Sequence, residues 1–314
     1  SIEQVYVKKN QLEHILDLPD TYIGSIEKTE LETWVLNDTD EKMEFRNIKY
    51  IPGFYKIFDE LLVNALDQEV RLINTKTNKP VSIIKVDFDF NENKISVYNN
   101  GEGIPIQIHN DYNVYVPELI FGHLLTSSNY DKNEKKITGG KNGYGAKLTN
   151  AFSTKFIVDT VDHISKKKYV QIFENNMKTI GKPIITDTNE EPYTKITFYP
   201  DMTRFGITSF NDDTIKLMKK RVIDGTACTS KNVSIYLNDK KLNCNSLEKY
   251  VNYYLDSKID KVYEEVSDRW EICVAQSSDT KFEQVSFVNG VCTLKGENML
   301  IMYLIVLVKN YNLI

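Results

Sequence analysis

Only three residues, Asn-Glu-Asn at 91–93, separate two runs rich in Val, Ile, Phe and Tyr, Ser82 to Phe90 and Lys94 to Tyr98. A link that short makes a hairpin and cannot hold the crossover that parallel neighbours need, so the two strands are adjacent and antiparallel. Before them a helix opens near Tyr50 at a Pro-Gly pair, with Phe54, Ile57, Phe58, Leu61, Leu62 and Ala65 recurring at steps of three and four as its buried face. Val116 to Leu125 is helical again, and Ala146 to Phe152 forms a further helix. Strand-like alternation returns at Phe156 to Val161, Lys168 to Phe173 and Thr194 to Phe198. Neighbouring strands covered by helices on one side predict an α+β fold and not a doubly wound α/β sheet.

After Lys241 a fresh helix, Leu247 to Leu255, and two strands, Trp270 to Gln276 and Gln284 to Val288, begin a second domain. With no repeat and no Pro/Gly/Ser linker to mark a hinge, the pattern puts the boundary near 245, giving domains 1–245 and 246–314. A chain of 314 residues can bury a core without disulfide or metal staples. The four cysteines lie far apart with no C-x-x-C pair, which suggests neither a zinc site nor a disulfide framework and fits a reducing compartment. A net charge of -5 argues against a domain whose main task is to grip phosphate backbones. No signal-peptide core opens the chain, and the longest apolar run, Met299 to Val308, is half of a bilayer crossing, so no membrane partner is expected. Lysine outnumbers arginine 34 to 5, a skew of AT-rich coding with no functional content.

Four segments carry candidate chemistry. In FDELLVNALDQ (58–68), Glu60, Asn64 and Asp67 share one helical face opposite Leu61, Leu62 and Ala65; the polar face suits a water and a metal, or is simply solvated. NNGEGIP (99–105) is a tight turn after a strand, with Asn99 placed to pair its amide with a base edge, although a plain turn has the same wording. LLTSSNY (124–130) is by itself a polar loop. TGGKNGYGAKLTN (138–150) has glycines at 139, 140, 143 and 145 that let the backbone curl around phosphates before a helix starts. Lys147 falls in the first turn of that helix, where a cation opposes the helix dipole unless an anion compensates it. The segment is neither a Walker A loop nor a G-x-G-x-x-G turn.

In this order the segments resemble the nucleotide site of the gyrase, histidine-kinase and MutL ATPase superfamily, the last element being the strand YTKITFYP that contains Thr194. DLPDTYIG, PGFYKIFDELLVNALDQ, VYVPELIFGHLLTSSNYD, KKITGGKNGYGAKLTNAFSTKF and FEQVSFVNG further resemble the ATPase region of eukaryotic-type DNA topoisomerase II, up to Gly296. The resemblance implies a Bergerat-type ATPase sandwich, a mixed sheet with helices on one face, followed by the start of an α/β transducer-like domain. It implies ATP and Mg2+ as cofactors, with Glu60 as the general base on the attacking water and Asn64 as the Mg2+ ligand. It further implies that Asn99 and Thr194 hold adenine, and that Ser127, Ser128 and Asn129 meet ribose and phosphate. Gly140, Lys141, Asn142, Gly143, Tyr144, Gly145, Ala146 and Lys147 would wrap the triphosphate, and Tyr6 would reach into the partner protomer's site. Gln68 departs from the family's usual Asn, which alters a phosphate-side contact.

As a whole the resemblance implies the ATP-operated gate of a type II topoisomerase: a homodimer through this domain, with duplex DNA as the partner of the full-length enzyme. The corresponding place is the nucleus for a cellular eukaryote, or the host cell or virion for a large DNA virus. A histidine kinase fits poorly, because His14, His109, His123 and His163 stand in no His-Glu box. The alternative is a nucleotide-binding dimerisation module without effective turnover. The family's second domain supplies a phosphate-reaching lysine beyond the point where this chain stops, and Lys309 is the only candidate for it here.

The tail departs from the family's K-G-G-[RK]-H-V-D-Y-V and reads KGENMLIMYLIVLVKNYNLI from Lys295. Gly296 to Leu307 can be written in codons such that one G restored after the first gives GGKHVDYVLDRI, with the frame returning by VKNYNLI. This implies a one-base deletion near 296 compensated by a one-base insertion downstream, either a sequencing error or a real lesion, and redetermining the gene at those two positions decides which. If the written bases stand and the protein is active, the sequencing-error explanation is wrong.

Overall fold

The structure is a computed structural model that describes residues 9–124, 143–255, 259–267, 270–276 and 283–293. Its centre is a mixed sheet in the order β11-β10-β3-β4-β9-β5-β6-β7, with β8 also on β6. The strands are β3 (Ile83–Asp89), β4 (Lys94–Asn100), β5 (Ser153–Val161), β6 (Lys167–Glu174), β7 (Thr179–Ile180), β8 (Ile184–Asp187), β9 (Tyr193–Pro200), β10 (Ser234–Leu237) and β11 (Lys240–Lys241). The expected hairpin is β3–β4, paired from Ile84↔Asn99 to Asp89↔Lys94.

Register decides which face is buried. Val86, Val97, Ile196 and Val158 are successive Cα partners across β3, β4, β9 and β5, as are Phe88, Ile95, Phe198 and Phe156. All eight side chains are buried. On the reverse face the side chains alternate to Lys85, Tyr98, Lys195 and Asp159, with the Lys85 ammonium 5.7 Å from the Tyr98 ring centroid. One apolar face and one polar face is the pattern of a sheet covered on a single side, as the sequence implied.

The covering layer is built on helix α2 (Pro52–Asn74), where Pro52 at the start lacks only an N–H that the helix would leave unpaired. Its Phe54, Ile57, Phe58, Leu61 and Leu62 join the strand residues in one buried cluster. Helix α4 (Gly145–Ala151) lies against α2, its Thr149 Oγ1 donating to the Ile57 carbonyl at 2.7 Å. Short helix α3 (Val116–Gly122) is tied to α4 by Asn150 Nδ2, which donates to the Phe121 carbonyl at 3.0 Å. It ends at Gly122, earlier than the pattern implied, where a β-carbon would meet the Phe173 ring.

Several elements were not legible as such. Helix α1 (Gln11–Asp17) is nucleated by a reciprocal capping box between Asn10 and Glu13, a signal present in the wording Asn-Gln-Leu-Glu. The hairpin β1 (Thr29–Asn37) and β2 (Lys42–Tyr50) and the helix α5 (Asp212–Cys228) also form, with Val35, Ile48 and Leu217 buried together between them. Strand β10, which follows α5, pairs parallel to β3.

Beyond Lys241 the expected helix is broken. Four residues, Leu247–Tyr250, form helix α6, and Val251–Tyr253 tighten into a 3₁₀ turn. Strand β12 (Lys261–Ser267) pairs with β13 (Trp270–Ala275), and β14 (Phe287–Val288), much shorter than the expected strand, pairs with β15 (Val291–Cys292). Tyr250 and Cys244 share a buried cluster with Leu36, Met43 and Ile223, so residues on both sides of 245 contribute to one apolar contact. Among the described residues no helix is long and apolar enough to cross a membrane.

Candidate nucleotide site

Glu60 stands in the third turn of α2, and its carboxylate lies against the start of α4. A β-carbon on Gly145 would overlap Glu60 Oε2, so only glycine lets the α4 backbone approach the acid this closely. The other oxygen, Oε1, is 2.5 Å from Lys56 Nζ one turn earlier. The Glu60 side chain is 18% exposed, enough to meet a water and too little to swing freely. Asn64, one turn further on, is partly exposed on the same helix. Asp67, read from the pattern as the third member of a polar face, is instead buried, as is Glu69. Burial raises the Glu69 carboxyl above its usual range although the Ser230 N–H donates to it at 3.0 Å. Gln68 accepts from Arg71 Nη1 at 3.3 Å.

Lys147 is the second feature of this corner. It is buried, and its Nζ donates to the Gly143 carbonyl at 3.0 Å, folding the cation back over the start of α4. Burial pushes its pKa down to about 8. The unfolded chain holds this proton up to the ordinary value of 10.5, whereas the folded chain releases it near 8. Stability contributed by this group therefore rises with pH across that window, and its full burden is present below it. We expect the stability of wild type relative to Lys147→Met to increase between pH 8 and 10.5, measured by denaturant unfolding at several pH values. A difference that is flat across the window would show that the amine is not desolvated.

A row of polar side chains interrupts the apolar face at one end of the sheet. Asn99, Thr194, Thr160 and Tyr169 are successive Cα partners across β4, β9, β5 and β6. Asn99 is buried and uses its Nδ2 to donate to the Asn100 carbonyl at 2.9 Å, while Thr160 and Thr194 bring their hydroxyls to 3.3 Å. Side-chain carbonyl and hydroxyl groups set in an otherwise apolar floor suit the edge of a planar heteroaromatic ring. The neighbouring Asn100 has a purely local task, its Oδ1 accepting from the N–H groups of Ser82 and Ile83 at 2.8 and 2.9 Å.

The turn after Asn99 is held from β5. Gly101 and Gly103 have φ of 128° and 72°, and a β-carbon on Gly103 would overlap the Val161 carbonyl. Ile104 N–H donates to Thr160 Oγ1 at 3.1 Å, and Ile106 N–H to Asp162 Oδ2 at 3.3 Å. Thr160, Asp162 and Lys56 also border this site, although no sequence motif pointed to them. Thr160 was recoverable, because it shares the inward period of Phe156 and Val158 and is a polar residue in that series.

The structure thus brings Glu60 together with Gly145, and places Gly143, Tyr144, Ala146 and Lys147 around that helix start. Gln11 Nε2 reaches the Tyr144 hydroxyl at 3.4 Å. Asn99 and Thr194 meet on the sheet. Ser127, Ser128, Asn129, Gly140, Lys141, Asn142 and Tyr6 lie outside the described residues, as do the altered tail from 296 on and Lys309. Among the described residues no three His, Cys, Asp or Glu side chains gather around a metal position. The Asn64 amide oxygen is a hard donor suited to Mg2+, an ion that keeps waters and takes oxygens from phosphates instead of needing a cage of protein ligands.

Residues 50–204 match the family model described as Histidine kinase-, DNA gyrase B-, and HSP90-like ATPase. The chain is 52% identical over 300 residues to the probable DNA topoisomerase 2 of Dictyostelium discoideum, and 50% identical over 305 residues to DNA topoisomerase 2 of Arabidopsis thaliana. Each alignment takes in 94% of this chain and 19% and 20% of those proteins, so the chain spans about a fifth of their length. Among solved structures, the ATPase region of Saccharomyces cerevisiae topoisomerase II superposes with a TM-score of 0.86 at 47% identity, over 93% of this chain and 76% of that one. The 43K ATPase domain of Thermus thermophilus gyrase B, at 17% identity and a TM-score of 0.55 over 84% of this chain and 61% of that one, shares the fold.

Proposed function

We propose, from the premise that this chain belongs to the family of DNA topoisomerase II ATPase regions, that it binds ATP with Mg2+ and hydrolyses it as the dimerising gate of a strand-passing enzyme. The observation that carries this reading is the Glu60 carboxylate seated on Gly145 at the start of α4, the helix whose first turn carries the buried Lys147. That corner offers a proton acceptor, a close backbone approach for phosphate and a cation in one place.

The residues divide the work by chemistry. Asn99 and Thr194 hold the adenine edge on the sheet floor, with Thr160 supporting them from β5. Gly143, Tyr144, Gly145 and Ala146 supply backbone N–H groups to the phosphates, together with Gly140, Lys141 and Asn142. Lys147 adds positive charge, and an anion beside it restores the protonated form that burial disfavours. Glu60 orients the attacking water and takes its proton, and Lys56 keeps the carboxylate in place. When bound, Mg2+ supplies charge neutralisation at the phosphates, and Asn64 holds it. Ser127, Ser128 and Asn129 meet ribose and phosphate. Tyr6 reaches the partner protomer's site, homodimerisation closes the gate, and duplex DNA is the cargo of the longer enzyme. The domain limits 1–245 and 246–314 separate the nucleotide-binding part from the part that transmits its state.

We expect Asn64→Ala to abolish the Mg2+-dependent part of ATP affinity while leaving binding in excess EDTA nearly as in wild type. Calorimetric titration with and without the metal measures both terms. An equal loss in the two conditions would remove Asn64 from the metal and make it a general packing residue.

A further inference from the structure

A buried guanidinium joins the nucleotide corner to the C-terminal hairpin. Arg221 on α5 is 3% exposed in its side chain, and its Nε donates to Asp59 Oδ1 at 2.7 Å. Its Nη2 donates to the backbone carbonyl of Gly290, in the turn between β14 and β15, at 2.9 Å. Asp59 immediately precedes Glu60, and consecutive residues of a helix point about 100° apart. The same helix therefore presents the acid to α4 with one side chain and grips α5 with the next.

The geometry of the grip matters. Nε and Nη2 form one edge of the guanidinium fork, an edge that matches both oxygens of a single carboxylate. Here the edge is divided between a carboxylate on α2 and a carbonyl of the hairpin. Nη1 is buried and donates to no partner among the described residues. If the Gly290 carbonyl withdraws, Nη2 is left unpaired in a dry site unless Asp59 turns to close the fork, and a buried unpaired donor is unfavourable. Closing the whole fork on Asp59 is the alternative arrangement this geometry allows, and a second discrete arrangement is what coupling between separated sites requires.

The surroundings hold the hairpin's support to the same helix. Lys220 Nζ donates to Asp224 Oδ2 at 2.6 Å, Tyr250 Oη donates to Asp224 Oδ1 at 2.7 Å, and the Tyr250 and Tyr254 hydroxyls are 2.5 Å apart. The Phe287 ring packs edge-on against Tyr250 with centroids 5.7 Å apart. Hairpin, α6 and α5 consequently meet around two neighbouring buried cations.

We propose that Arg221 is a positioning residue, dividing its fork between Asp59 and the Gly290 carbonyl so that nucleotide held at Glu60 and the position of the β14–β15 hairpin bias one another. The inference rests on the ATPase reading. Hydrogen exchange on the chain with and without the Mg2+ complex of the non-hydrolysable analogue adenylyl imidodiphosphate tests it, with binding followed separately by calorimetry. In wild type the analogue is expected to change exchange in residues 285–293 by about fivefold or more, the scale of ordinary coupling energies. Arg221→Lys keeps a cation for Asp59 but cannot span both partners, and Asp59→Asn keeps the shape while removing the charge that competes for the fork. Both are expected to bind the analogue and to lose the response at the hairpin while exchange in residues 285–293 of the free variant stays below the unprotected rate, which separates a lost relay from a hairpin already opened by lower stability. Where Arg221→Lys does not fold, Asp59→Asn decides. A hairpin response that persists in either folded variant overturns the relay, as does wild type that binds the analogue without any response. Wild type that fails to bind at all overturns the ATPase reading and the relay with it.

Discussion

Glu60→Gln is expected to lower ATP hydrolysis by about a hundredfold or more, the usual contribution of a positioned general base, while ATP binding stays within a few-fold of wild type. Glutamine preserves the size of the side chain and one carbonyl oxygen, so it still fits against the Gly145 backbone. It cannot take a proton from water, and it no longer pairs as an anion with Lys56, now 2.5 Å away. The backbone of α4 proposed to meet the phosphates and the polar row on the sheet are untouched, so binding is expected to survive. Steady-state turnover measured beside nucleotide affinity separates the two effects. Near-normal turnover with normal affinity would assign the proton transfer elsewhere.

Gly103→Ala is expected to be the most damaging added methyl among the described glycines. The residue sits at φ 72°, a region that L side chains enter at a penalty of about 1–2 kcal/mol. The added carbon would also overlap the Val161 backbone carbonyl. A backbone atom of a central strand cannot swing aside as a side-chain tip does, and overpacking of this kind costs about 1–3 kcal/mol more. The combined loss is about 2–5 kcal/mol. Because the turn is anchored through Ile104 N–H to Thr160, any relief by moving it displaces Asn99 from the polar row as well. Unfolding by denaturant and nucleotide titration on the same sample are expected to show both losses. A variant as stable as wild type would mean that the turn does not approach β5 this closely.

Much of the corner around Glu60 was legible in the sequence. Helical spacing put Glu60 and Asn64 on one face, and Asn99 stood between a strand and two glycines. Both patterns also fit a solvated face and a plain turn, and the roles proposed for these residues came from the resemblance to the family. The lysine in the first turn of α4 stood out because its charge opposes the helix dipole. Asp67 was misjudged for an equally definite reason. Its seven-residue separation from Glu60 keeps it on the same side of an isolated helix, but α2 is covered by neighbours beyond its first turns and that position is buried. The broken helix after Leu247 has a similar origin. Tyr250 and Tyr254 turn toward Asp224 and each other, and that demand tightens the chain into a 3₁₀ turn.

Period and punctuation by themselves determined α2, the β3–β4 hairpin and the fold class. A three-residue link dictated an antiparallel hairpin, steps of three and four dictated α2, and strands without long crossovers dictated α+β. These are local consequences of backbone geometry, and they hold whatever else the chain meets. Tertiary structure alone decided what residues far apart in sequence do together: β10 beside β3 as a parallel edge, Thr160 behind Thr194, Gly145 on the carboxylate of Glu60, and Arg221 between Asp59 and Gly290. Each joins segments separated by tens of residues or more, where the pairing depends on which surfaces exclude water best and which buried polar groups find partners. No spacing rule carries that information, because the partner of a buried group is chosen in three dimensions.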